Sequence, residues 1–203
     1  MGNEIDNWKG FGNRENAVRV GRLCHPEMTT SAHTTKIVTI VATDPRAKTL
    51  ALVYAATFRY APWNEDIDAG EQAHLWQRHS ETKGARYLAA FFGNTLVGGA
   101  EFMPLDLFPE RRNLFPTVTY GSLFLNDIFV SPSAQNKKVG SKLLNEVEAM
   151  AVTHGFSHLS LRTHATYDKL LNFYQARGYA ALCDVPSTAG GSMRRVFIKS
   201  LGV

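Results

Sequence analysis

The chain has 203 residues, 44% of them apolar and 20% charged, and a formal net charge of +4. That length suits one domain able to bury a real core. Lysine and arginine are scattered without a basic run, which argues against a nucleic-acid partner, and no apolar stretch reaches the ~18 residues that a membrane-spanning helix needs. Cys24 and Cys183 are the two cysteines; they are far apart and match no metal or redox spacing, so a reducing compartment, the cytoplasm, is expected. The N-terminus has no apolar core of a secretory signal and no myristoylation pattern.

Residues 1–34 are polar and aperiodic and are expected to form a loosely ordered lead-in, with Trp8 and Phe11 available as anchors. The remainder, 35–203, reads as one domain. Lys36–Ala42 is β-branched and predicts a strand. Asp44-Pro45 opens a helix that carries Leu50, Leu52, Val53, Ala56 and Phe58 and stops near Pro62. An acidic connection, 63–71, leads into a second helix ending near Lys83. Arg86–Phe92 and Thr95–Met103 flank Gly93-Asn94, which predicts a hairpin. A proline-bearing loop, 104–116, precedes Tyr120–Val130, a strand apolar enough to be central and covered on both faces.

Beyond Ser131-Pro132 the period becomes helical. Val139, Leu143, Val147 and Met150 form a stripe that ends at Gly155. His158–His164 is a further strand, Thr166–Arg177 a helix stopped by Gly178, and Tyr179–Val185 and Met193–Leu201 are closing strands. The strand–helix–strand passage over 120–164 requires a crossover, so that pair is expected to be parallel within a mixed α/β (α+β) sheet.

The most specific segment is the loop Val130-Ser-Pro-Ser-Ala-Gln135-Asn-Lys-Lys138-Val-Gly140-Ser141. It joins a buried strand to an amphipathic helix, and a helix start offers about four unpaired N–H groups and roughly half a positive charge to a phosphate. Together with Asp127-Ile-Phe-Val130, Lys142-Leu-Leu144, Leu161-Arg-Thr163-His164 and Asn172-Phe-Tyr174-Gln-Ala-Arg-Gly178-Tyr179, this loop resembles the GNAT superfamily of N-acetyltransferases. The family motif there reads Gln/Arg-x-x-Gly-x-Gly/Ala. Gln135 and Gly140 match it, while Lys138 stands at the first motif glycine. Tyr167 stands where the family often has an asparagine.

The resemblance implies a mostly antiparallel central sheet with a parallel pair at the cofactor cleft and helices on both faces. It implies acetyl-CoA as co-substrate, held by Ile128, Phe129, Val130, Gln135, Asn136, Lys137, Lys138, Val139, Gly140, Ser141 and Tyr174, with no metal. The activity implied is direct acetyl transfer to a primary amine, or on the alternative reading a non-catalytic acyl-CoA-binding module on the same scaffold. Tyr174 matches the family's proton donor to the departing thiolate. For the base, Asp127 is the carboxylate of its strand; strict alternation puts it on the face of Leu125 and Phe129. Asn126 would share the opposite face with Phe124 and could position a water, unless a bulge re-aims both. Trp63, Glu65, Asp66 and His164 are the candidate acceptor residues. The carboxylates Glu65, Asp66, Asp68 and Glu71 beside Tyr60 and Trp63 suit a small cationic amine such as a polyamine, or form a solvated acidic loop. A protein lysine is a further acceptor, and a homodimer stays open.

Overall fold

The computed structural model describes residues 34–60, 63–107, 121–187 and 192–202. The expected lead-in, apart from Thr34, and most of the proline loop lie outside them. Seven strands and four α-helices follow in the order β1 (Thr35–Ile40), α1 (Arg46–Phe58), α2 (Ala69–Lys83), β2 (Arg86–Phe92), β3 (Thr95–Pro104), β4 (Ser122–Val130), α3 (Val139–Thr153), β5 (His158–His164), α4 (Asp168–Gln175), β6 (Ala180–Pro186) and β7 (Met193–Ser200). The strands form one sheet in the order β1-β2-β3-β4-β5-β7-β6. The β4–β5 pair is parallel and the other pairs are antiparallel, the mixed sheet that the crossover required.

Local chemistry sets the helix boundaries. The Asp44 carboxylate accepts the Arg46 N–H at 2.8 Å ahead of α1. Asp68 caps α2 by accepting from Glu71 N at 2.8 Å, and Gly84, with φ +63°, closes it. In α1 the buried stripe is Ala47, Leu50, Ala51, Tyr54, Ala55 and Phe58. Leu52 and Ala56, expected on that stripe, are exposed, Leu52 at 62%, because each lies about 100° around the helix from Ala51 and Ala55 of the buried face.

The sheet has a core on each face. Leu88, Phe102, Leu123, Leu125, Leu159 and Leu161 pack with Leu143 and Val147 of α3 and with Leu171 and Tyr174 of α4. Tyr87, Met103, Phe124, Phe129 and Val196 pack with Tyr54 of α1 and Trp76 of α2 on the other. The approach of β3 to β4 is close enough to need glycine. A Cβ on Gly98 would lie 2.4 Å from the Phe129 carbonyl oxygen, and one on Gly99 would lie 2.5 Å from that of Leu88.

Candidate active site

Two irregularities in β4 build the site. The first is a fork. Ser122–Leu125 pair with His158–Leu161, and β4 has no β5 partner beyond Leu125. From Asn126 to Val130 the backbone groups that turn away from β3 therefore lack a strand partner. The second is a bulge. Glu101 faces Asp127 and Phe102 faces Leu125, so Asn126 is the extra residue. Phe124 and Phe129 both belong to the α1/α2 core, and the inserted residue brings Asn126 and Asp127 to that same face. Strict alternation would have separated them.

A cleft of about 680 Å³ opens along the fork. Of the residues expected at the cofactor, Ile128, Phe129, Val130, Gln135, Asn136, Lys138, Val139, Gly140, Ser141 and Tyr174 line it, and Trp63 lines its far end. Lys137 does not; its ammonium lies 5.0 Å above the Phe92 ring. The first intrahelical bond of α3 runs from Lys142 N to Lys138 O at 3.1 Å, which leaves the N–H groups of Val139, Gly140 and Ser141 without a backbone acceptor among the described residues. They leave at this helix start the open N–H groups that the sequence suggested. Gly140 is not required by crowding within the protein. A Cβ there would meet only Val130 Cγ2, at 3.7 Å, in ordinary contact, although alanine is the better helix former by about 1 kcal/mol.

Lys138, at the place of the first motif glycine, has φ +62°. The turn into α3 demands a left-handed residue here, which costs a side chain about 1–2 kcal/mol. Asn136 takes the same conformation, with φ +62°, at a position where asparagine is tolerated. Lys138 thus adopts the shape of the missing glycine.

Tyr174 is 3% exposed and is fixed by aromatic neighbours: Phe173 at 5.2 Å, Tyr179 at 5.6 Å and Phe197 at 5.8 Å between centroids. Tyr179 anchors the turn after α4 to α3 through its hydroxyl, 2.8 Å from Glu148. Burial first and the Asp127 charge second push the pKa of the Tyr174 hydroxyl well above the ordinary tyrosine value, against a smaller opposing effect of Arg177. It is a neutral donor at any working pH. Arg177 stacks on Phe173 at 3.7 Å and donates to Ser141 Oγ at 2.6 Å, tying α4 to the start of α3.

Behind the fork lies a buried polar network that the sequence reading missed. The amide of Asn126 bridges two carboxylates, donating to Glu101 Oε2 at 2.7 Å and to Asp127 Oδ2 at 3.0 Å. Glu101 is 1% exposed; it also meets His79 Nδ1 at 2.7 Å and accepts from the Tyr87 hydroxyl at 3.1 Å. The Tyr54 hydroxyl lies near Asp127, and its proton is held firmly, chiefly by burial and then by the charges of Asp127, Glu101 and Glu65. The signal for Glu101 was available: it is the lone charge in the apolar run Thr95–Met103.

On the acceptor side, Trp63 collects Phe58 at 5.2 Å, His164 at 6.2 Å and Tyr167 at 6.4 Å, with the Arg194 guanidinium 5.6 Å from its ring centroid. Glu65 lies 3.8 Å from Arg194. The other loop carboxylates do not converge here. Asp68 caps α2, and the Asp66 side chain is 98% exposed, 3.9 Å from Arg59. Among the described residues there is no group of three His, Cys, Asp or Glu that could hold a metal and no helix long and apolar enough to cross a membrane.

This forked sheet with an N–H cluster at its mouth defines an acyl-transferase scaffold. The sequence model of the acetyltransferase (GNAT) family matches residues 50–179, more than half of the chain. The chain belongs to that family and is an acetyltransferase. Solved structures of the same fold include an N-acetyltransferase from Staphylococcus aureus Mu50 (TM-score 0.63, 14% identity, 83% of this chain and 99% of that one). Others are the PaiA N-acetyltransferase from Thermoplasma acidophilum in complex with coenzyme A (0.56, 19%, 82% and 99%) and the ribosomal-protein-S18-alanine N-acetyltransferase from Escherichia coli (0.60, 13%, 84% and 96%). Among curated proteins none matches the chain.

Proposed function

We propose that the protein transfers an acetyl group from acetyl-CoA directly to the primary amine of a small molecule, with Asp127 as base and Tyr174 as acid. The observation that carries this is the bulge at Asn126. It turns Asp127 toward α1 and the acceptor side while the β4 backbone beside it stays open to the cleft. The thioester supplies an activated acyl group when bound, and the residues present suit it. The Val139, Gly140 and Ser141 N–H groups and the Lys138 ammonium meet phosphates. The edge of β4 beyond Leu125, where β5 no longer pairs with it, receives an extended amide-bearing arm, and its N–H groups face developing negative charge.

The chain's own groups handle the protons. Asp127, ordered by Asn126, takes one from the amine, directly or through a water that Asn126 positions. Tyr174 passes one to the leaving sulfur. Trp63, Glu65 and His164 border the acceptor, and the exposed position of Asp66 leaves it a peripheral part. An exposed free thiol at Cys183 supports a reducing compartment, the cytoplasm. The test is CoA release with a panel of primary amines, run beside calorimetry with acetyl-CoA. Binding with amine-dependent release is expected. Binding without release from any amine would make the chain a sensor of acyl-CoA, and no binding at millimolar concentration would refute both.

A further inference from the structure

We infer that Arg162 binds a carboxylate on the acceptor, so that the amine acetylated here belongs to an amino-acid-like molecule; this rests on the transfer reaction proposed above. Arg162 follows Leu161, the last β5 residue to pair with β4, and stands at the crotch of the fork. Leu159 and Leu161 point into the α3/α4 core, which turns Ser160, Arg162 and His164 to the face of α1 and α2. That is the face of Asn126, Asp127, Glu101 and Tyr54. Its cross-strand neighbour Val196 and nearby Phe124 are apolar and fully buried.

In these surroundings Nε and Nη1 of Arg162 are buried with no hydrogen-bond partner. No ion pair among the described residues includes it. By contrast Arg194, on the same side, lies over Trp63 and near Glu65, and Arg177 is bound to Phe173 and Ser141. Arg162 is half-buried as a residue, and two sealed guanidinium nitrogens without an acceptor carry a desolvation cost that a bound anion would offset. Nor does Arg162 line the cleft that takes the co-substrate, so its counter-ion comes from the other reactant. One unpartnered guanidinium balances one negative charge, and its planar donor array suits a carboxylate. With Asp127 on the same face, the site offers one group to an amine and one to an anion. A plain polyamine would leave Arg162 unanswered.

The experiment measures kcat/KM with acetyl-CoA for two matched series, lysine, lysinamide and cadaverine, and leucine, leucinamide and isoamylamine. The parent protein is compared with Arg162→Met and Arg162→Lys. In the parent, at least one amino acid is expected to exceed its amide and its decarboxylated analogue by on the order of a hundredfold. Arg162→Met should bring that ratio close to one, and Arg162→Lys should keep part of it. Because Met removes an unpaired buried charge, it should also raise the melting temperature by a few degrees without ligand. A structural arginine would do the reverse. Equal or better turnover of the carboxylate-free amines, an unchanged ratio in Arg162→Met, or a lowered melting temperature would each overturn the inference. So would failure of every carboxylate-bearing amine to react while calorimetry still shows acetyl-CoA bound. Absence of acetyl-CoA binding would instead strike the transfer reaction itself.

Discussion

Replacing Asn126 by leucine, close to it in volume, removes a hydrogen bond to the proposed base. What is lost is the amide donor to Asp127 Oδ2 at 3.0 Å, together with the one to Glu101 Oε2 at 2.7 Å. Glu101 keeps His79 and the Tyr87 hydroxyl, so the network should hold. A hydrogen bond to a charged group contributes about 1.5–3 kcal/mol, and one pH unit corresponds to about 1.4 kcal/mol. The donor favours the ionised carboxylate, so its loss favours the protonated acid. Protonation then disables the base at a higher pH. The acidic limb of kcat/KM against pH should therefore move upward by about one to two units, and any fall in the plateau above it reports the water that Asn126 positions. Full pH profiles for the parent, Asn126→Leu and Asp127→Asn, which should have no such limb, make the comparison. An acidic limb at the parental position in a folded Asn126→Leu protein would refute Asp127 as the group that takes the proton.

Tyr174→Phe keeps the aromatic packing but removes the donor to the leaving sulfur. It should lower kcat by about ten- to a thousandfold; an unchanged single-turnover rate would remove Tyr174 from the mechanism. Gly140→Ala should raise the melting temperature by about 1–4 °C, from roughly 0.5–1 kcal/mol of helix preference, while calorimetry shows weaker acetyl-CoA binding. Undiminished affinity would mean that the glycine does not serve the ligand. Lys138→Gly relieves about 1–2 kcal/mol of left-handed strain and adds about 0.5–1 kcal/mol of unfolded-chain freedom. A small net stabilisation should appear on chemical denaturation. Acetyl-CoA affinity should fall only a few-fold, with a shallower salt dependence.

The architecture was legible where periodicity and turn chemistry agreed. The hairpin at Gly93-Asn94, the α3 stripe and the parallel crossover pair all follow from local pattern, because burial on two faces leaves a strand or helix little choice of register. The site was legible only up to the bulge. Asn126 and Asp127 are neighbours on a strand, and nothing in their own identities says that one residue will be looped out. The displacement is set by Glu101 across the sheet and by the glycine-permitted approach of β3. Glu101 lay 25 residues from Asn126, and its partners His79 and Tyr87 lie on two further elements, so only the fold brings them together. At Lys138 the motif's demand for a left-handed turn outweighed the residue's reluctance to adopt one.

The fork gives the sheet an edge in its interior. Beyond Leu125, β4 runs on to Val130 without β5 beside it. Since unmade bonds cost stability, whatever docks there finishes the sheet as well as entering the reaction. Occupancy then becomes part of folding. By mass action, a ligand at a hundred times its dissociation constant adds about 2.7 kcal/mol to the folded state, enough to rival the loss from a damaging core substitution. The supply of acyl donor would thus set the lifetime of the enzyme in the cell as well as its rate, and a starved cell would hold a softer protein, opening first along the β4–β5 seam.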